Sequence, residues 1–485
     1  MPPPSFRLDA APAGVRPRLW QRRLTDLLRR RLERAHDRDV LVNAGPGAGK
    51  TLGTLLAFRV LQAEGRLDAL CICTHRTAIT EQWLAAAARL GLVLGDGLPS
   101  GDGLVCSYQT LARDPGVPRQ RLLAHAPLDR WLLVADEVHH LGLDPEDPEG
   151  GWGCGFEALS GGAALRVGLT GTPFRADRLG FCAARAHLET ADDDGGCHRV
   201  IAPDLCVEPR ELIASGDVRP LVFHFQDGWV DHQRGEGGGD PQATSPLSEE
   251  RRESWRARNL RRAVALGEPD GIARRVLASA RCELMRLREQ DPSAAGLVVA
   301  RDIDHALAIG RLLEAEGDPV RVVHSLDPEA AETLQQFRRG EGRWLVSVDM
   351  CAEGFDAPRL RVVAYLTTVV TRSRFLQAIT RAVRLDGELA AREPVPRHPS
   401  SIHAPADPLL MAHASGWSLS APYRLRPLPD GAEPGADPGV GATAAVLPLR
   451  AVADRAGGVI ALTGPELPPF LNRRGGSVTS GQAAG

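Results

Sequence analysis

The stretch Val40-Leu41-Val42-Asn43-Ala44-Gly45-Pro46-Gly47-Ala48-Gly49-Lys50-Thr51 decides how the chain is read. A short β run enters alternating glycines, and a lysine and a hydroxyl residue open the helical pattern Thr51 to Ala63. Strand, glycine loop and helix is the context in which backbone can wrap phosphate. The glycines let N–H groups turn toward phosphate oxygens, and the helix N-terminus adds a favourable dipole. An ordinary glycine-rich turn is the plain alternative, and it gives no reason for the lysine. The chain has 58 basic residues, and Lys50 is its one lysine. Arginine serves on most surfaces, but a phosphate loop needs a compact point charge beneath the β- and γ-phosphates rather than a planar fork.

Outward from this loop the pattern continues. Gln21 to Ala35 reads as an arginine-rich amphipathic helix, and Thr80 to Leu90 as another. Ala69 to Cys73, Leu104 to Ser107, Trp131 to Ala135 and Leu165 to Leu169 read as apolar strands. Apolar strands alternating with helices predict a parallel sheet covered on both faces. A second α/β set follows: strands at Gly296 to Ala300, Val320 to Val323, Trp344 to Val348 and Leu360 to Leu366, with helices at Ile303 to Glu316 and Phe375 to Val383. It carries no phosphate loop of its own.

The expected organisation is a flexible N-terminus over 1–15, a first lobe over 16–226, a loop and helical linker over 227–290, a second lobe over 291–425 and a Pro/Gly/Ala-rich tail over 426–485. Within the linker, the Gly/Asp/Ser/Pro-rich stretch Asp227 to Glu250, which contains Gly235 to Asp240, reads as a mobile loop, and Glu249 to Gln290 reads as mostly helical. Within the tail, Val446 to Leu462 is apolar enough for a short docked element.

The bulk numbers bound the function. At 485 residues the chain predicts two or three domains. A net charge of −3 leaves no global basic field, so a nucleic-acid surface must be local. Nine cysteines without paired spacing fit a reduced, cytoplasmic compartment. Met1 to Gly14 lacks the apolar core of a signal peptide, and no apolar run is long enough to span a membrane.

Asp136-Glu137-Val138-His139-His140 follows the apolar strand Trp131 to Ala135 directly. Acids at a strand's C-terminal end lie where open α/β sheets bind ligands. One can hold Mg²⁺ through water while the other orients and deprotonates an attacking water. Arg381 and Arg384, three residues apart, are expected on one helical face, where an arginine fork can neutralise charge that develops in phosphoryl transfer.

From about Arg16 to about Arg384 the chain resembles the superfamily-2 helicases and translocases of DEAD/DEAH-box type, most closely the branch that shares its motor core with type I and type III restriction subunits. Ala44 to Thr51 is similar to motif I, and Asp136 to His139 to motif II. Thr74-His75-Arg76 through Gln82-Trp83 resembles motif Ia, and Ser107 to Thr110 the strand-contact motif after it. Leu169 to Arg175 resembles motif III, Leu297 to Arg301 motif IV, Val346 to Pro358 motif V and Gln377 to Arg384 motif VI. Thr380 stands where the family usually has glycine.

The resemblance implies two tandem RecA-like parallel-sheet lobes of α/β class, joined by a helical linker insertion and followed by a flexible C-terminal tail. It implies an ATP hydrolase that uses ATP and Mg²⁺ and acts on nucleic acid, with DNA favoured over RNA. Gln21 would read adenine. Gly45, Gly47, Gly49, Lys50, Thr51, Gly354 and Asp356 would bind the nucleotide, with Thr51 and Asp136 at the metal. Lys50, Asp136, Glu137, Arg381 and Arg384 would be catalytic, the two arginines as fingers on the γ-phosphate. His75, Arg76, Thr170, Thr172, Arg175, Arg301 and Gln377 would contact nucleic acid or couple it to ATP. Two alternatives stand beside a helicase: a non-unwinding double-stranded DNA translocase working with other subunits of a restriction, repair or phage-defence complex, and an ATP-gated binding scaffold with little turnover.

Weaker patterns have plainer readings. Arg251, Arg252, Arg256, Arg258, Arg261 and Arg262 could track a phosphate backbone, but acidic neighbours favour a solvated helix. Cys182, Cys197, His198 and Cys206 lack metal-knuckle spacing. Cys71 and Cys73, two apart on a strand, are expected on one buried face.

Overall fold

The computed structural model describes residues 17–34, 38–45, 47–143, 151–171, 180–190, 197–233, 243–348, 355–385, 390–391, 393–415, 423–424 and 450–464. The chain divides into two compact units, Met1–Glu208 with Ser418–Ala444, and Pro209–Trp417 with Ala445–Gly485.

The first unit is built on a seven-stranded sheet in which every pair is parallel. Its order is Leu205–Val207, Asp39–Ala44, Leu165–Thr170, Trp131–Asp136, Ala69–Thr74, Gly103–Ser107 and Leu94–Asp96. The central strands read as unbroken apolar runs because both faces are covered, and Ala69–Thr74 and Trp131–Asp136 are buried at every position. The five expected strands are present. The two edge strands, Leu94–Asp96 and Leu205–Val207, are three residues each and too short to leave a pattern.

The helix Leu19–Leu32 packs Trp20, Leu24 and Leu28 inward. Its Arg31 pairs with Asp204, whose Oδ2 also accepts from Leu41 N at 2.8 Å. One carboxylate thus ties helix, central strand and edge strand together. Cys71 and Cys73 do share one buried face, and Cys73 Sγ lies 3.7 Å from Cys106 Sγ.

The second unit begins at Pro209, earlier than the boundary expected at 226. Its sheet runs Ala243–Pro246, Leu221–Gln233, Ser400–Pro405, Leu360–Leu366, Ala295–Ala300, Trp344–Ser347 and Val320–Val323. Pairs from Leu221–Gln233 onward are parallel, and Ala243–Pro246 adds antiparallel. Residues 227–290, expected as loop and linker, are therefore corrected to part of this unit. Leu221–Gln233 continues through them as a strand, and the helices Glu253–Ala263 and Ile272–Gln290 follow. The mobile loop expected over Asp227 to Glu250 is corrected as well: its start belongs to the strand Leu221–Gln233 and Ala243–Pro246 is a strand, while residues 234–242, with Gly235 to Asp240, lie outside the described residues.

Within the expected tail, the docked element read over Val446 to Leu462 is longer than a short one. Arg450–Gly464 is a 15-residue strand, paired antiparallel along the length of Leu221–Gln233. Gln226 Nε2 donates to Gly457 O at 2.8 Å, and the fully buried Asp454 accepts from Arg262 Nε and Ile272 N. Composition gave the docking but not the full length of the strand, because its small residues carry little apolar signal while backbone pairing supplies the hydrogen bonds.

The arginine-rich helix Glu253–Ala263 has structural partners. Arg256 is buried against Asp407, Arg252 pairs with Glu250, and Arg252 and Arg258 lie over the Trp255 ring.

Candidate active site

In the first unit the chemistry gathers at the C-terminal ends of three adjacent strands. Leu165–Thr170 lies between Asp39–Ala44 and Trp131–Asp136, so the phosphate loop, Gly171 and the acid pair emerge side by side.

Gly47 and Gly49 have φ of 79° and 82°, where a side chain is disfavoured. The helix Lys50–Ala63 starts at Gly49 with no side-chain cap, which leaves its N-terminus to a ligand. Lys50 Nζ donates to Ala44 O at 3.1 Å and lies 3.5 Å from Glu137 Oε1. Thr51 is the next residue of the helix and half-buried.

Glu137 itself has φ of 51°, rare for a non-glycine residue and costing about 1–2 kcal/mol. This turn sends its carboxylate back over the loop, where Oε2 accepts from Gly171 N at 3.4 Å. Asp136 is held from three sides. Its Oδ2 accepts from Trp83 Nε1 at 2.7 Å, its Oδ1 from Glu137 N at 3.1 Å, and its carbonyl from Tyr108 Oη at 2.7 Å. Burial keeps the Tyr108 phenol protonated and hence a donor. His139 Nδ1 and Thr170 Oγ1 share a hydrogen bond of 2.9 Å, and the same nitrogen lies 3.6 Å from Glu137 Oε2.

The two acids are electrostatically unlike. Burial, then the neighbouring Glu137 charge, pushes Asp136 above the usual carboxylate range. Burial also works against Glu137, but Lys50, followed by His139 and His140, outweighs it and holds that carboxyl at about 2. A divalent cation would supply the positive charge that burial denies Asp136. The oxygen donors Thr51 and Asp136 suit Mg²⁺, and the uncapped helix start with its left-handed glycines suits a phosphate chain. The residues fit the nucleotide and the metal.

Sequence reasoning missed part of this site. Trp83 and Tyr108 carry no role in the motif reading, yet they hold Asp136. A tryptophan and a tyrosine near strand ends were the available signal, since both must find a partner when buried. Gln21, expected at adenine, is buried and tied to the loop. Its Oε1 accepts from Arg18 N at 2.9 Å and its Nε2 donates to Gly49 O at 3.1 Å. Trp20 Nε1 and Arg18 Nη1 donate to Ala48 O and Gly47 O. His75 is buried at the end of its strand, its ring tilted against His140 with centroids 4.6 Å apart, while Arg76 is exposed.

In the second unit Asp356, Arg381 and Arg384 come together. Arg384 Nη1 lies 3.1 Å from Asp356 Oδ1, and the buried Arg381 donates from Nη1 to Phe355 O at 2.7 Å. The shared helical face expected for these arginines is a correction. The helix ends at Ile379, Arg381 lies in the turn beyond it and Arg384 just past that turn. Thr380 caps it, its hydroxyl donating to Leu376 O at 2.6 Å, and the following N–H groups tighten to residues three back. Gln377 is half-buried on that helix, and Arg301 follows its strand with Nε 2.6 Å from Asp302 Oδ2. Gly354, Thr172 and Arg175 lie outside the described residues.

Two family profiles match the chain. "Type III restriction enzyme, res subunit" covers residues 14–175, and "Helicase conserved C-terminal domain" covers residues 279–386. The chain belongs to the superfamily-2 helicases, with a restriction-motor-like core. Helicase domains of this kind imply the use of ATP.

Among relatives, an uncharacterized protein of Mycobacterium tuberculosis is 33% identical over 400 residues, covering 80% of this chain and 62% of that protein. One of Mycobacterium leprae is 31% identical over 393 residues, covering 78% and 60%. The chain thus spans about three fifths of the length of these curated relatives. A solved fragment of a candidate HsdR subunit of a type I restriction enzyme from Vibrio vulnificus aligns with a TM-score of 0.52 at 17% identity, over 86% of this chain and 69% of that one, and shares its fold. Among the described residues no helix is long and apolar enough to cross a membrane.

Proposed function

We propose that this chain is a nucleic-acid-dependent ATPase that drives movement along DNA. The observation that carries the reading is the convergence of Lys50, Asp136 and Glu137 at neighbouring strand ends, with Lys50 Nζ 3.5 Å from Glu137 Oε1. Lys50 holds the β- and γ-phosphates, and Thr51 and Asp136 hold Mg²⁺, Asp136 through water. Magnesium, when bound, neutralises charge that builds on the phosphates. Glu137 orients the attacking water and accepts its proton. Arg381 and Arg384 neutralise the remaining charge during transfer. His139 and Thr170 link the acid pair to the strand end that begins motif III, and the exposed Arg76, beside the buried His75, meets the nucleic-acid backbone.

The test is the ATPase rate of the protein against single- and double-stranded DNA and RNA at two salt concentrations. Stimulation by DNA that weakens with salt is expected. Turnover indifferent to every nucleic acid would sink the reading. Lys50→Ala and Glu137→Gln should each abolish hydrolysis in a folded protein. Strand displacement beside triplex displacement then separates unwinding from translocation without unwinding.

A further inference from the structure

Arg219 belongs to none of the motifs, yet it is among the largest fully buried side chains of the described residues. Its guanidinium joins three segments. Nη1 donates to Arg384 O at 2.7 Å and to Pro358 O at 3.2 Å, while Nε and Nη2 lie 3.0 and 2.9 Å from Glu393 Oε2. Its backbone N–H donates to Val383 O at 2.9 Å. Ser400 Oγ donates to the next carbonyl back, Ala382 O, at 2.8 Å.

Three consecutive carbonyls at the end of motif VI are therefore held from outside the motif. The reason is local. The helix stops at Ile379, so Ala382 to Arg384 have no helical ladder to fix them. Of the common side chains, a guanidinium can meet two carbonyls and a carboxylate in one plane, and lysine cannot. Pro358 ends motif V, whose Phe355 O and Asp356 receive Arg381 and Arg384. Arg219 thus closes a loop of contacts around both arginines.

We propose that Arg219 is a positioning residue for ATP hydrolysis: it fixes the main chain of Arg384 against the end of motif V, and so sets where the Arg384 guanidinium points, without touching the nucleotide itself. The inference rests on the reading of the chain as an ATP-driven motor.

The experiment measures kcat and KM for ATP, and thermal unfolding, in Arg219→Lys, in the paired variant Arg219→Met with Glu393→Met, in Arg384→Ala, and in Arg384→Ala combined with Arg219→Lys. The paired variant removes both buried charges together, which guards against the unfolding expected when one partner is left alone. Folded Arg219 variants should lose about tenfold or more in kcat with KM within about twofold. Added to Arg384→Ala, Arg219→Lys should cost little more, because its effect runs through Arg384. Unchanged kcat in a folded Arg219 variant would overturn the proposal, as would a full further loss in the Arg384→Ala background. If Lys50→Ala stops turnover while Arg384→Ala leaves it intact, the positioning role fails and the ATPase reading stands. If the unaltered protein hydrolyses no ATP, the motor reading itself fails.

Discussion

The indole Nε1 of Trp83 donates to Asp136 Oδ2 at 2.7 Å, and both side chains are buried. A motif Ia residue thereby aims the carboxylate expected to hold magnesium. Trp83→Phe keeps the ring and removes the donor. It should cost about 1–3 kcal/mol of stability, because a buried carboxylate oxygen loses its partner. It should also raise the magnesium concentration that half-saturates ATP turnover. Urea unfolding and a magnesium titration check both; an unchanged magnesium requirement would remove Trp83 from the site.

Lys50→Arg keeps the charge and changes its shape. The Lys50 ammonium sits within reach of both Ala44 O and Glu137. A planar fork cannot occupy that point without displacing the loop. Phosphate release should fall by about a hundredfold or more, with the unfolding temperature little changed. Near-normal turnover would show that position 50 needs only a charge.

Thr170→Val deletes the hydroxyl bonded to His139 and keeps the volume. ATP turnover should persist within a few-fold, while movement on DNA per ATP consumed should drop. Parallel ATPase and displacement assays measure the ratio. A ratio equal to that of the unaltered protein would argue that this bond does not couple the two.

Asp204→Ala strips partners from Arg31, Arg185 and Leu41 N at once. It should destabilise the first unit by about 3 kcal/mol, by taking the carboxylate from the buried Arg31 and the acceptor from the Leu41 N–H. Denaturant unfolding followed by Trp fluorescence reads this directly, and a loss well under 1 kcal/mol would mean water replaces the carboxylate.

Burial, with the stacked His224, holds His403 at about 3, and burial with Arg301 holds His305 at about 4. Both are neutral when folded but protonate near 6.5 when unfolded. Their contribution to stability is complete above pH 6.5 and is lost as pH falls toward their folded values. Each such histidine should cost about 1.4 kcal/mol per pH unit in that window. Unfolding of the second unit at pH 7, 6 and 5 should show the decline, and His403→Gln should flatten it.

Much of the parallel-sheet core was legible in the sequence. Leu360–Leu366 is buried at every position and matches its expected range, and the edge strand Val320–Val323 matches too, its three valines outweighing the partly buried Arg321. The acid pair and the phosphate loop were legible because their chemistry demands particular side chains in order. What escaped was of two kinds. The left-handed turn at Glu137, the end of the helix at Ile379 and the hold of Trp83 on Asp136 depend on hydrogen bonds between distant segments. The full length of the strand Arg450–Gly464 escaped, beyond the short docked element expected there, because small and polar residues can pair through backbone alone.

That strand sets an order on biosynthesis. Leu221 is the register partner of Gly464, so the second sheet cannot be completed while the intervening chain is still being made. The exposed flank of Leu221–Gln233 must wait through the synthesis of every helicase motif in this unit. During that interval it is an open edge, available to the wrong partner. Folding on the ribosome should therefore proceed in two stages: a parallel sheet forms first, and the last strand seals it from the side.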